Sequence, residues 1–500
     1  MTVSLTWLLD GIAAIPDNDA QIVDLAIDSR DVRAGSLFLA LRGTKAHGLE
    51  HAADAAARGA SAVLWEPAAG ALPPSFAGKP FAAPVPNLRR LVGRLADRFF
   101  QSPSSQMRIV GVTGTNGKTT CAYLITQCLE RLGRPAAYMG TIGWGFLGRL
   151  EAPTLTTPDA VSVHRSLALL KAQGVREVAM EVSSHALDQG RVDGVRFHSA
   201  AFTNLSRDHL DYHASMQAYA EAKARLFSGE HLEQAIINVG DPFGRELAHK
   251  LSGVPPLTAV WVGSRADGWL AERFLEAREV RLDLSGISLD IVGSAGGIHV
   301  STKLLGRFNA ENVLVALGCL LALGVPSADA AAALAACTAP PGRMEVIEAR
   351  APGRPLAVID YAHTPDALAK ALAALREHCS GALWCVFGCG GDRDAGKRPL
   401  MGSIADELAD EIIVTDDNPR SEDPQEIIRA ITRGIKTHPA RVIPDRAAAI
   451  AHALNRAGAS DIVLIAGKGH EDYQEIAGRR LPFSDLEAAR EALRERGARA

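Results

Sequence analysis

Short apolar runs bounded by polar turns recur along the chain, and their spacing defines its organisation. In residues 1–88 the runs Ile22–Ile27, Leu37–Leu41 and Ala62–Trp65 accompany an alanine-rich helical stretch and end in a segment holding Pro73, Pro74, Pro84 and Pro86. This predicts a small α/β unit followed by a linker. From residue 107 to 240, Arg108–Val112, Glu177–Val182, Ala200–Thr203 and Ala235–Val239 alternate with longer helical patterns. That alternation predicts βαβ units and a mostly parallel sheet. Residues 278–304 switch to alternating positions with turns at Gly286 and Gly296-Gly297, predicting an antiparallel appendage ahead of a helix starting near Asn309. After Pro340-Pro341-Gly342, the runs Leu356–Ile359, Leu383–Phe387, Glu411–Thr415 and Ile462–Ala466 are each followed at once by a polar loop. Ligand crevices in open α/β sheets lie at the carboxyl ends of strands, so these loops predict a second binding domain.

The pattern gives an α/β protein of three domains: a small N-terminal α/β domain (1–88), a central mostly parallel sheet domain with a phosphate loop and an antiparallel appendage (89–339), and a C-terminal Rossmann-like domain (340–500). A chain of 500 residues fits this division at roughly 100 to 200 residues per domain.

Composition narrows the function classes. Hydrophobic residues make up 47% and charged residues 22%, the balance of globular protein. The 53 basic and 57 acidic residues leave a net charge of -4, which provides no general electrostatic footprint for nucleic acid or a membrane surface. The cysteines, Cys121, Cys128, Cys319, Cys337, Cys379, Cys385 and Cys389, are odd in number and mostly lie in apolar runs, pointing to a reducing cytoplasm and buried thiols rather than a disulfide framework. Asp10 interrupts the first apolar stretch, and no basic region precedes it, so no signal peptide is predicted. Asn312 to Ser327 is uncharged but short of the roughly 20 residues of a membrane span, and it reads as a core helix.

The strongest local chemistry is Gly114-Thr115-Asn116-Gly117-Lys118-Thr119-Thr120, between an apolar strand and a helical pattern. Glycines let backbone amides approach phosphate and the helix start favours negative charge. Lys118 can reach the outer phosphates and Thr119 can ligate magnesium. The generic motif has glycine six residues before the lysine, where this chain has Val112. Glu181, ending a strand, is the best carboxylate for magnesium. Downstream lie Ser183-Ser184-His185, Asn204-Leu205-Ser206-Arg207-Asp208-His209-Leu210-Asp211-Tyr212-His213, Tyr219, Lys223 and Phe227. Taken singly, Lys223 reads as a solvated lysine and His209 as a capping histidine.

In this order the motifs resemble the Mur ligases, over all three inferred domains. Asp28-Ser29-Arg30, Gly43 to Gly48, Thr156-Thr157-Pro158, Gly306-Arg307-Phe308-Asn309, Pro341 to Glu345 and Asp360 to Pro365 extend the likeness. The resemblance implies an ATP- and magnesium-dependent reaction of peptidoglycan precursor synthesis. A substrate carboxylate attacks the γ-phosphorus, and an amine then attacks the acyl phosphate. It implies Thr119 and Glu181 on one magnesium, and Glu181, His209 and a carbamylated Lys223 on a second. A carbamate offers magnesium a hard anionic oxygen where an ammonium would repel it. Ile27, Ser29, Thr44, Lys45 and Ala46 would lie at the uridine end of UDP-N-acetylmuramoyl-L-alanyl-D-glutamate, and Thr156, Thr157, Ser183, Gln189 and Arg191 at its muramoyl-dipeptide. Asn309, Arg343 and Asp360 would contact adenosine or phosphate, with Arg343 stabilising transition-state charge.

Asp417-Asn418-Pro419-Arg420 looks like the family's diaminopimelate-recognition motif, supported by Arg393, Gly467 and Glu471. Meso-diaminopimelate differs from lysine by a second carboxylate, which a guanidinium fork such as that of Arg420 binds in bidentate fashion. Together with the cysteine usage and charge balance, this gives the expectation of a cytoplasmic monomer without membrane insertion or nucleic-acid partner. Addition of lysine to the same precursor remains an alternative, as does a P-loop regulatory NTPase, which would leave Lys223 and the C-terminal loops without a task.

Overall fold

The computed structural model describes residues 2–499 except 17, 44–45, 68–73, 75, 77–79, 153–154, 230, 252–254, 264–271, 295 and 348–352. The chain forms two compact units, Met1–Ala122 with Leu129–Leu257, and Tyr123–Cys128 with Thr258–Ala500.

In the first unit, Asp24–Ala26, Ser36–Ala40, Ala62–Trp65 and Phe81–Pro84 form a parallel sheet in that order. Leu37, Leu39 and Leu64 face one apolar cluster, and Phe38, Ala40 and Val63 the other. The proline-rich segment read as linker therefore contains a strand. Proline is tolerated there because Phe81–Pro84 is the sheet edge and Pro84 its last residue.

The same unit carries Gln234–Asn238, Phe197–Phe202, Arg108–Thr113, Glu177–Glu181, Ala136–Gly140 and Gly143–Gly145 as successive neighbours in a sheet. All pairs are parallel up to Ala136–Gly140, and Gly143–Gly145 returns antiparallel. Arg108–Thr113 is interior, and its residues beyond Arg108 are buried, as expected for a strand covered on both faces. The carboxyl ends of three adjacent strands therefore deliver Gly114, Val182 and Thr203 to one edge.

In the second unit, Leu257–Val262 runs parallel to Arg273–Asp283, which continues into antiparallel Gly286–Gly293 and Gly296–Thr302. Ile287, Leu289 and Ile291 are buried while Ser288 and Asp290 between them are not, matching the alternation in sequence. Helix Phe308–Ala322 is buried nearly all round, which explains its lack of charge beyond Glu311. The last sheet runs Glu345–Val346, Leu356–Asp360, Ile462–Ala466, Leu383–Phe387, Glu411–Val414, Ala440–Val442, parallel except for its first pair. Val358, Cys385 and Leu464 pack on one face, and Ala357, Val386 and Val463 on the other. Burial pushes the Cys389 thiol up to about 12, so it is an inert apolar side chain. Among the described residues no helix is long and apolar enough to cross a membrane.

Candidate active site

The turn after Arg108–Thr113 is shaped by its neighbours. Gly114 has φ +151°, and a Cβ there would collide with the Thr203 hydroxyl, so only glycine fits. Asn204 ties the loop down: its carbonyl accepts from the Thr115 amide at 2.8 Å and its side-chain oxygen from the Asn116 amide at 2.9 Å. These two amides, expected from sequence to face phosphate, are thus engaged within the protein. Cys121 makes an intrahelical bond to Gly117, so the amides of the first helical turn face its N-terminal end. The Lys118 ammonium curls back onto the carbonyls of Gly114 (2.9 Å) and Thr115 (2.8 Å).

Thr119 Oγ1 donates to Glu181 Oε2 at 2.9 Å, uniting the residues expected to share magnesium. Glu181 is buried and also accepts from the Thr141 amide (2.8 Å), the Thr141 hydroxyl (3.2 Å) and the Tyr138 hydroxyl. Tyr138 and Thr141 escaped sequence reasoning because the strand that carries Tyr138 and ends just before Thr141 pairs with the Glu181 strand through sheet topology alone. Gly140 is needed beside them, since a Cβ would strike Glu181 and Tyr138.

Lys223 overturns its reading as a solvated lysine. It is 1% exposed on helix Met216–Ala224, lies 4.3 Å from the Tyr219 ring centre, and donates to the Gly114 carbonyl at 2.7 Å. Burial, reinforced by the Lys118 charge and opposed by Asp208, holds its pKa well below the ordinary lysine value. His209 has φ +52° and packs edge-on against His185, ring centres 4.9 Å apart. Its Nε2 lies 3.5 Å from Asp208, and no hydrogen bond or ion pair joins it to Glu181 or Lys223 among the described residues. No group of three or more His, Cys, Asp or Glu side chains is gathered for a metal among the described residues. Thr119 and Glu181 nevertheless suit magnesium, which characteristically takes one or two carboxylates and completes its octahedron with water and phosphate oxygens.

The expected dipeptide residues form one connected group. Thr157 Oγ1 donates to the Glu181 carbonyl (2.9 Å) and accepts from the Ser183 amide (3.1 Å). The Thr156 hydroxyl meets that of Thr141 at 3.2 Å. Arg191 donates to the Thr157 carbonyl (2.9 Å) and to Gln189 (2.6 Å). Ser29 is buried and Ile27 half-buried, while Ala46 is exposed and its carbonyl accepts from Gly43 at 2.9 Å. Thr44 and Lys45 lie outside the described residues.

In the second unit, Asp360 ends its strand and accepts from the Met344 amide (2.8 Å) and Ala362 amide (2.9 Å), while burial raises its pKa. The Arg343 guanidinium lies 5.4 Å from the Tyr361 ring centre, and its buried Nε has no hydrogen-bond partner among the described residues, a donor fit for an anion. Asn309 is buried and bonded to the Leu305 carbonyl (2.7 Å) and Asn312 (2.7 Å).

The strand ends of the last sheet gather Asp417, Asn418, Arg420, Gly467 and Glu471. Asn418 donates to Glu471 (2.9 Å) and accepts from Lys468 (3.0 Å), which also contacts Glu471 (3.1 Å). Lys468 is completely buried. Gly467 has φ +120°, and a Cβ there would crowd the Asp417 carboxylate at 2.5 Å. The Pro419 carbonyl packs against Gly391, leaving no room for a Cβ. Arg393 is exposed.

A phosphate loop beside a buried carboxylate and lysine, together with a second strand-end site of guanidinium and amide groups, defines an α/β P-loop enzyme. Three family models match: the Mur ligase family catalytic domain over residues 21–100, the Mur ligase middle domain over 112–320, and the Mur ligase glutamate ligase domain over 342–469. The UDP-N-acetylmuramoyl-L-alanyl-D-glutamate–2,6-diaminopimelate ligase of Alkalilimnicola ehrlichii is 49% identical over 489 residues, 96% of each chain. That of Pseudomonas aeruginosa is 50% identical over 479 residues, 95% of this chain and 96% of its own. A solved structure of a UDP-N-acetylmuramoyl-L-alanyl-D-glutamate–2,6-diaminopimelate ligase aligns with TM-score 0.76 and 37% identity over 99% of this chain and 100% of its own. A MurF structure from Acinetobacter baumannii, 19% identical with TM-score 0.61 over 99% of each chain, shares the fold. The chain belongs to the Mur ligase family.

Proposed function

We propose that this protein is the ATP- and magnesium-dependent ligase that joins meso-diaminopimelate to UDP-N-acetylmuramoyl-L-alanyl-D-glutamate. The observation carrying this reading is the Asp417–Arg420 loop at the strand ends of a chain half identical, over nearly its whole length, to ligases named for that amino acid. It acts in the cytoplasm as a monomer, with the uridine end of the substrate on residues 1–88, ATP on 89–339 and the amino acid on 340–500.

The γ-carboxylate of D-glutamate attacks the γ-phosphorus of ATP, ADP leaves, and the amine of diaminopimelate displaces phosphate from the acyl phosphate to form the amide. Lys118 supplies positive charge to the transferring phosphoryl group. Thr119 and Glu181, with His209 and a carbamate on Lys223, would hold magnesium, which would supply neutralisation of phosphate charge. The Lys223 environment supports carbamylation, since a neutral amine is the form that attacks carbon dioxide and burial disfavours the ammonium. Thr157, Ser183 and Arg191 orient the dipeptide beside Glu181. Arg420 receives the distal carboxylate of diaminopimelate, and Asn418, Glu471 and the Gly467 backbone hold its ammonium end. Arg393 assists.

The test measures ADP release with ATP, magnesium and the UDP-dipeptide, with diaminopimelate, with lysine, or with neither. Release dependent on diaminopimelate is expected. Release driven equally well by lysine, or independent of any amino acid, would overturn the reading.

A further inference from the structure

The hairpin of Tyr473–Ile476 and Arg479–Pro482 lies across the Asp417–Arg420 loop. Gln474 Nε2 donates to the Asp417 carbonyl at 2.7 Å, and the Glu475 amide donates to Asn418 Oδ1 at 2.9 Å. The Arg420 amide donates to the Glu475 carbonyl at 2.9 Å, and the Ala477 amide to the Arg420 carbonyl at 2.7 Å. Held at both its amide and its carbonyl, Arg420 adopts φ +53°, a left-handed conformation that a non-glycine residue seldom takes.

This grip decides how the guanidinium is presented. Nη1 is committed to the Gly391 carbonyl at 2.6 Å. The edge containing Nε remains, and Glu475 Oε2 lies 3.6 Å from it. That is too long for a hydrogen bond but within ion-pair range. The two side chains are 20% and 24% exposed, so water screens the pair only in part. Among the described residues, the Glu475 carboxylate has no hydrogen-bond partner. It is a loosely held anion at the edge of Arg420 that a substrate carboxylate would take.

We propose that Glu475 is a specificity-determining residue, its carboxylate standing in for the distal carboxylate of the amino acid and yielding Arg420 when that carboxylate arrives. The inference rests on the assignment of Arg420 above. Two effects follow. Glu475 competes with the dicarboxylic substrate and weakens its binding. It also keeps Arg420 paired when an amino acid lacking the second carboxylate occupies the site, so the wrong complex avoids the full cost of an unpaired, partly buried guanidinium.

The test compares full-length wild type, Glu475→Gln and Glu475→Ala, measuring kcat and KM for diaminopimelate and lysine at saturating ATP and UDP-dipeptide, and KM for ATP. Both variants should lower KM for diaminopimelate about 2- to 5-fold, the scale of a partly exposed ion pair. Both should raise the ratio of kcat/KM for diaminopimelate over lysine, with KM for ATP unmoved. A purely supporting role for the hairpin would instead raise KM for diaminopimelate. A raised or unchanged KM, or an unchanged ratio, in both variants overturns the proposal. If wild type itself does not use diaminopimelate, it is the functional reading that fails.

Discussion

Lys223 and Lys118 converge on one oxygen, the Gly114 carbonyl, at 2.7 and 2.9 Å. Burial first, and the neighbouring Lys118 charge second, hold the Lys223 pKa well below the ordinary lysine value, so the shared carbonyl links a cation at the phosphate loop to an amine whose charged form is disfavoured.

Lys118→Ala removes a preorganised cation from the transferring phosphoryl group. Ligation should fall by roughly 3 kcal/mol in activation free energy, more than a hundredfold. Steady-state ADP release by a variant with an unchanged circular dichroism spectrum checks this, and near-normal turnover would exclude Lys118 from the chemistry.

Lys223→Ala should be nearly inactive and partly rescued by short carboxylic acids, which return an anionic oxygen to the vacated site. Intact-protein mass of active enzyme should show the lysine carrying one carbon dioxide. An unmodified lysine in turnover-competent protein would rule out the carbamate.

The unmodified lysine also has a pH signature. Its folded pKa is lowered, so between that value and the ordinary 10.5 the unfolded chain binds more protons than the folded one. Stability from this group therefore rises with pH across that window, and the penalty is fully present below it. In degassed buffer Lys223→Met should be more stable than wild type at neutral pH, with the gap closing as pH approaches 10. Melting temperatures of both proteins across that range measure it, and a constant gap would mean that Lys223 remains charged in the fold.

Arg446 and Asp485 form a fully buried bidentate pair, at 2.7 and 2.8 Å, behind the Asp417 loop. Asp485→Asn leaves a buried guanidinium without its counter-ion and should cost about 3 to 5 kcal/mol in urea unfolding. A loss below about 1 kcal/mol would mean that water reaches the pair.

Arg420→Ala should raise KM for diaminopimelate while KM for ATP and the UDP-dipeptide holds, and Arg420→Lys should recover little because a point charge cannot reproduce the fork. An unchanged preference over lysine would move selectivity to Arg393.

The strands and phosphate loop were legible because local rules govern them. Runs such as Leu383–Phe387 and Ile462–Ala466 are apolar throughout because both faces of a parallel strand are covered. Gly114 to Thr120 carries its chemistry in consecutive residues. Phe81–Pro84 was hidden by its proline, and the Tyr473–Pro482 hairpin by one half-buried and one exposed strand, neither with a buried face to reveal its period. Family motifs found Lys223, whose own neighbours on the helix read as surface.

What the sequence determined by itself was the inventory: which strands, which loops follow them, and which side chains could serve phosphate, magnesium and amino acid. Only the tertiary structure decided their state. Strand order put Tyr138 and Thr141 on Glu181, and helix packing buried Lys223 over the Gly114 carbonyl. The hairpin turned Arg420 toward Glu475. Burial and partner choice depend on residues far apart in the chain, and local periodicity carries no information about which distant groups will share one desolvated site.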